Sequence, residues 1–198
     1  MRNDVPRLQG DRIALEPLVL ADSHAIQRLF PHWEIVRYLS HGMQWPYPAD
    51  GARRLLQEVT FPSVAQGIEW AWSIRLNGKQ GPLIGVISVA DRPNDNRGFW
   101  LGLDWHGQGL MTEACKLATD YWFDVLGFPV MRVPKAMANM PSRRLSEREG
   151  MRLIQVGPRD FVSGRMPAGI WETTAAQWRS RVSASPSHRN PHPLASTE

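Results

Sequence analysis

Between residues 12 and 18 apolar and polar positions alternate, with Ile13 and Leu15 on one face, which is the period of a half-buried strand. Asp22 then stands where it can cap a short helix whose apolar residues, Ala25, Ile26, Leu29 and Phe30, keep helical spacing until Pro31. Trp45-Pro46-Tyr47-Pro48 stops regular structure and stiffens an aromatic loop, and a second helix is expected from Asp50 to about Val59. Period two returns over residues 69–76, with Trp70, Trp72 and Ile74 on one face and Ala71, Ser73 and Arg75 on the other. Asn77-Gly78 supplies a hairpin turn to an apolar strand over 83–90; a polar loop at 91–97 precedes another strand at 98–103. From about Gly109 the residues Leu110, Ala114, Leu117, Ala118, Tyr121, Trp122 and Val125 share a helical face, and Gly127 is placed to end that helix. A short strand at 130–133 follows, then a helix with Pro141 in its first turn, reaching Glu149 and stopped by Gly150. Residues 153–156 and 170–175 read as a last pair of strands.

Hairpins interleaved with helices predict an α/β (α+β) domain with a mostly antiparallel sheet. A chain of 198 residues with 42% hydrophobic content suffices for one core and is short for two, so a single domain over residues 1–182 is expected. The tail at 183–198 is rich in Ser, Pro, His and Asn without apolar periodicity and reads as disordered. A lone cysteine, Cys115, excludes an internal disulfide and a multi-cysteine metal site. Residues 1–10 lack the apolar region of a signal peptide, and no stretch approaches the ~20 apolar residues of a membrane helix. A cytoplasmic protein without a membrane partner is therefore the expectation. The net charge of +4 suits a phosphate-bearing partner, yet the basic residues, all arginine except Lys79, Lys116 and Lys135, are scattered, so no nucleic acid partner is expected.

Chemistry concentrates where the strand at 98–103 runs through Gly107 and Gly109 into the amphipathic helix. The first N–H groups of a helix have no intrahelical acceptor and sit at the positive end of its dipole, so a pyrophosphate there is hydrogen-bonded and charge-stabilised at once. Two glycines let an anion approach the main chain closely; they also suit a plain tight turn from strand to helix.

The longer string His106-Gly107-Gln108-Gly109-Leu110-Met111-Thr112-Glu113-Ala114 resembles the coenzyme A signature of the GCN5-related N-acetyltransferases (GNAT superfamily). It is most similar to the branch of the ribosomal-protein acetyltransferases RimJ and RimL, whose loop commonly reads Trp-Gly-x-Gly-Tyr-Ala-Thr-Glu-Ala. The second landmark of that branch, Asn-x-x-Ser-Arg-Arg, is matched by Asn139-Met140-Pro141-Ser142-Arg143-Arg144. The resemblance spans roughly residues 7–178 and departs from the pattern at His106, Met111 and Pro134. It implies a sheet of about six to seven strands flanked by about four helices, acetyl-coenzyme A as co-substrate, and a primary amine as acceptor, either a protein N-terminus or a small molecule. It further implies that the main chain at Leu101 and Leu103 holds the pantetheine arm and polarises the thioester, and that Gly107, Gln108, Gly109, Leu110, Met111 and Thr112 hold the phosphates. By the same match Ser142 protonates the departing thiolate and Asn139 binds the pantetheine amide; a first-turn serine and a cap asparagine are the plain alternatives.

An α-amino group, with pKa near ~8, needs only modest help to become the neutral nucleophile. Asp160, Glu172, Glu69 and His41 are all candidate bases, a solvated or paired role being the plainer reading of each. Arg143 and Arg144 face either phosphates or water, and Trp33, Trp45, Trp70 and Trp72 either wall an acceptor pocket or pack the core. Cys115 reads as a packed residue rather than an acyl carrier. A coenzyme A-binding regulatory protein without catalysis is the competing reading, motivated by Met111, Pro134 and the unassigned base. A monomer and a homodimer are both compatible with the sequence.

Overall fold

The computed structural model of the chain describes residues 4–40, 42–78 and 81–184, with side chains to residue 181. The alternating segments form strands β2 (Ile13–Pro17), β3 (Glu69–Leu76) and β4 (Leu83–Ala90) of an antiparallel sheet. Short β1 (Leu8–Gln9) completes one edge and β5 (Arg97–Leu101) the other, giving the order β1-β2-β3-β4-β5. As period two requires, Trp70, Trp72 and Ile74 fall on one face, where they pack with Leu110, Ala114 and Ala118 of helix α5 (Leu110–Asp120). The opposite face meets a second cluster from α1 (Ser23–Leu29), α2 (Trp33–Val36) and α3 (Gly51–Arg54). Helix α3 runs on through wide turns at Leu55–Thr60 into α4 (Phe61–Ala65). Both faces of β3 are thus covered, which is why Ala71 and Ser73 are as buried as the tryptophans.

A second antiparallel sheet, ordered β6-β8-β7, comprises β6 (Val130–Ala136), β7 (Arg152–Phe161) and β8 (Gly164–Thr174). Helix α6 (Met140–Arg148) joins β6 to β7, and α7 (Ala175–Ala184) follows β8. One residue clasps the sheets together. Asn96 donates its backbone N–H to Arg132 C=O at 2.8 Å and accepts Arg132 N–H on Oδ1 at 2.8 Å. Its Nδ2 binds Ala90 C=O and Arg92 C=O, and its own carbonyl receives Ala90 N–H. Beneath this clasp the fully buried Arg97 guanidinium binds Thr119 Oγ1 at 2.5 Å and Glu149 Oε2 at 2.6 Å, tying β5 to α5 and to the end of α6.

The fold agrees with the expected antiparallel α/β architecture, and the four expected helices are all present. Eight strands stand among the described residues where six to seven were expected, because Leu8–Gln9 adds an edge. Four details differ. Asp22 does not cap α1 with its side chain: its carboxylate takes Val19 N–H at 3.1 Å and the Arg75 guanidinium instead. Residues 98–103 are not all strand, since β5 ends at Leu101 and Leu103–Trp105 makes a single 3-10 turn. The last strands are longer than their apolar cores, because hairpin pairing extends through Pro158 and Pro167. Residues 183 and 184 continue α7 and were expected to be disordered; the rest of that tail lies outside the described residues.

The clasp yields a quantitative expectation. Asn96→Ala removes three side-chain hydrogen bonds and orphans the Arg132 amide, so urea unfolding followed by tryptophan fluorescence should show a loss of about 2–3 kcal/mol. A loss under about 0.5 kcal/mol would mean that the sheets hold together without it.

Candidate active site

Strands β5 and β6 are the facing edges of the two sheets, and they diverge from the Asn96 clasp. Asn96 bonds Arg132, and three residues further along each strand Lys135 Nζ lies 4.7 Å from the Phe99 ring centroid, so the strands run in the same direction. Beyond the clasp no backbone hydrogen bond joins them among the described residues. The result is a wedge, closed at Asn96 and open toward Leu101 and Ala136, whose walls are strand edges able to pair with an amide-bearing chain. Gly85 makes the β5 wall possible: a Cβ there would lie 2.4 Å from Trp100 C=O. Pro134 sits within β6, which is tolerable because β6 is an edge strand.

At the open end the chain turns into α5. Leu101 C=O is engaged by His106 Nε2 at 2.8 Å, and Leu103, past the end of β5, accepts His106 N–H. Gly107 and Gly109 have φ of +75° and +76°, the left-handed region that favours glycine, and the space where a Cβ would stand at Gly107 is empty. Glu113 N–H is the first to close the helix, on Gly109 C=O at 3.3 Å, so the N–H groups of Leu110, Met111 and Thr112 have no intrahelical acceptor. Met111 packs its side chain against the core, leaving the turn clear. Gln108 turns its side-chain amide back to Asp104 C=O.

Arg12 holds this turn in place, donating to Gln108 C=O at 2.9 Å and to Glu113 Oε2 at 3.0 Å, while Glu113 Oε1 receives the Arg12 N–H. Sequence reading missed it: Arg12 lies 96 positions before Gln108 and looks like any other strand arginine. The pairing neutralises Glu113 beside the turn. Unpaired N–H groups, a helix dipole and open space over glycine form a surface suited to a diphosphate.

On the β6 side, Asn139 caps α6 by accepting Ser142 N–H at 3.3 Å. The Ser142 hydroxyl therefore does not serve the helix end; it accepts a hydrogen bond from Lys135 Nζ at 2.8 Å. Burial, with the nearby Arg97 acting in the same sense, lowers the Lys135 ammonium to about 8. Sequence reading passed over Lys135 as one of three scattered lysines. Arg143 donates to Met137 C=O, fixing the turn between β6 and α6, and Arg144 is exposed.

The candidate bases scatter. Register places Glu69 and Glu172 at the closed end of the wedge, the first paired with Ala90 and the second with Arg132, and their carboxylates bind Arg92 at 2.7 Å and Arg132 at 2.8 Å. Asp160 binds Arg165 at 3.2 Å in the β7–β8 hairpin; His41 lies outside the described residues. That hairpin meets the segment after α2 through the Ser40–Phe161 bridge and the bond from Val162 N–H to Leu39 C=O. Trp70 and Trp72 are core residues, whereas Trp33 and Trp45 lie 5.6 Å apart between ring centroids, 40% and 39% exposed. Cys115 is fully buried, and burial pushes its thiol up to about 12, so it is a packed thiol with no path to an acyl group. No helix among the described residues is long and apolar enough to cross a membrane.

Comparison with known proteins agrees with this geometry. The chain is 32% identical over 74 residues to YdaF of Bacillus subtilis (strain 168), whose assignment as a ribosomal N-acetyltransferase is provisional; the match covers 35% of this chain and 40% of that protein. The fold superimposes on Mycobacterium smegmatis RimJ in complex with a CoA-disulfide, with TM-score 0.78 and 16% identity, over 92% of this chain and 96% of that one. It also matches RimL, a ribosomal L7/L12 α-N-protein acetyltransferase solved with coenzyme A, with TM-score 0.70 and 16% identity, over 85% and 98% of the two chains. The sequence pattern of the acetyltransferase (GNAT) domain matches residues 12–152, and the chain belongs to that family.

Proposed function

We propose that this acetyltransferase moves the acetyl group of acetyl-coenzyme A to a primary amine, by direct attack while donor and acceptor are bound together. The observation that carries the reading is the wedge between β5 and β6, open at the glycine turn of α5 and bordered by Ser142. Acetyl-coenzyme A is the acetyl donor of the family; bound here, it would supply an activated thioester. The main chain at Leu101 and Leu103 would position its pantetheine arm, and residues from Gly107 to Thr112 its diphosphate. Ser142 Oγ is the group that would give a proton to the sulfur, and Asn139 would act by holding the first turn of α6.

The acceptor we favour is a protein N-terminal α-amine, with a small-molecule amine as the alternative. YdaF, RimL and RimJ support the first by likeness. The exposed Trp33–Trp45 pair, near the segment that meets the β7–β8 hairpin, supports an acceptor surface at that end of the molecule. An α-amine near its own pKa needs little base catalysis, which fits a site where the described candidate bases Glu69, Glu172 and Asp160 are paired with arginines. The two substitutions that favoured a non-catalytic protein lose their force, since Met111 faces the core and Pro134 an edge.

Calorimetric titration with acetyl-coenzyme A, then thiol release across peptides, amino acids, polyamines and aminoglycosides, tests the reading; binding with release on peptides is expected, and no binding would overturn it. Gly109→Val puts a β-branched residue at φ +76° and should weaken coenzyme A binding more than about tenfold, as loss of one or two charge-assisted amide bonds requires. Unchanged affinity would remove the turn from the cofactor site. Ser142→Ala should lower kcat by about a hundredfold with acetyl-coenzyme A affinity within about twofold. Equal turnover in variant and wild type would leave Ser142 without a proton-transfer role.

A further inference from the structure

Lys135 is buried between β5 and β6, and among the described residues no carboxylate reaches ion-pair distance of its Nζ. Its neighbours are the Ser142 hydroxyl at 2.8 Å and the face of Phe99 at 4.7 Å. Burying an ammonium with so few partners is unfavourable, and a lysine needed only for packing would be better replaced by an apolar residue. The hydroxyl it touches is equally telling. Ser142 Oγ accepts from Lys135 and donates to no acceptor among the described residues, so its own proton is free to point into the wedge.

We propose that Lys135 is a positioning residue for the acetyl transfer: its ammonium fixes the Ser142 hydroxyl as a donor toward the departing sulfur and replaces the proton that the hydroxyl gives up. The inference rests on the acetyl-transfer reading above. In the step, the neutral amine nitrogen forms its bond to the acetyl carbon and releases one proton to solvent, and the carbon–sulfur bond breaks with its electron pair on sulfur. Sulfur takes the proton of Ser142 Oγ, Ser142 Oγ takes one from Lys135 Nζ, and Lys135 is left as a neutral amine that regains its proton from solvent.

The acidities match this direction of transfer. A thiolate whose thiol has pKa near ~8.5 is too weak a base to draw a proton readily from a lysine at ~10.4. From one lowered to about 8, through burial first and the neighbouring Arg97 second, the transfer is close to balanced. The other groups that bear on Lys135 are Cys115 of α5, Glu149 at the end of α6 and Asp95 before β5. Glu149 is spent on Arg97 and Asp95 on Arg159, and Cys115 is a neutral thiol, so none takes the Lys135 proton.

The chain has only three lysines, so protein labelled with 13C-lysine gives three side-chain signals, and Lys135→Met identifies the one that matters. That signal should titrate near 8 and shift when coenzyme A is added; a Lys135 signal that titrates with Lys79 and Lys116, or ignores coenzyme A, would overturn the proposal. The second measurement follows the ultraviolet absorbance of the bound coenzyme A thiolate against pH. Lys135→Met should raise the thiol midpoint by about one unit or more, as loss of a cation within hydrogen-bonded reach predicts, with coenzyme A affinity within about threefold. Lys135→Arg should restore the low midpoint. Equal midpoints in wild type and Lys135→Met, with both binding coenzyme A, would reduce Lys135 to a structural residue. Failure of the wild type to bind coenzyme A would instead strike the acetyl-transfer reading, and this inference with it. If Lys135→Met does not fold, Lys79→Arg and Lys116→Arg assign the Lys135 signal by elimination and the titration of the native lysine decides.

Discussion

The structure turns on two strands that must meet at one end and part at the other. Asn96 enforces the meeting, because its side chain and main chain together satisfy Arg132, Ala90 and Arg92 across two sheets. Beyond it, among the described residues, each strand pairs only on its far side, β5 with β4 and β6 with β8. Unpaired strand edges normally invite unwanted association. Here they face one another too far apart to bond, which leaves a gap lined by main-chain groups that a ligand arm can satisfy.

Electrostatics are arranged around the same gap. Arg97 is neutralised at the closed end by Glu149 and anchored by Thr119, so its charge is held in a fixed frame below the clasp. Arg12 neutralises Glu113 beside the glycine turn, so that the positive end of α5 faces outward without a competing carboxylate. Lys135 is the exception. Its charge is left on a hydroxyl and a ring, in the part of the wedge where the proposed acetyl transfer would make a sulfur anionic. The contrast between two paired arginines, Arg97 buried and Arg12 exposed, and one buried lysine without an ion pair separates groups that hold the frame from the group proposed to give up a proton.

Where the chemistry is local, it was legible in the sequence. The glycine turn, the start of α5, and the cap that is the plain alternative for Asn139 all arise within a few residues, where the backbone and one side chain settle the outcome. Register arguments needed the fold: Glu69 and Glu172 look as suitable as any carboxylate until strand pairing sets them at the closed end. Helix α7 was missed for a related reason. Its sequence has little apolar periodicity, and its described anchors are tertiary, Trp178 against Phe123 with its Nε1 on Asp120.

The sequence by itself determined the order of the main strands and helices, though not β1, α2 or α7, together with the glycine turn, the first turn of α6 and a lone cysteine without disulfide chemistry. Periodicity and caps are consequences of neighbouring residues, so they survive without knowledge of the whole. The tertiary structure alone decided that Arg12 braces a turn 96 positions away, that Asp22 serves Arg75 instead of a helix, and that Lys135 meets Ser142 and Phe99. Those pairings depend on which strand edges face each other across the wedge, a property of packing between sheets that no short stretch of sequence contains.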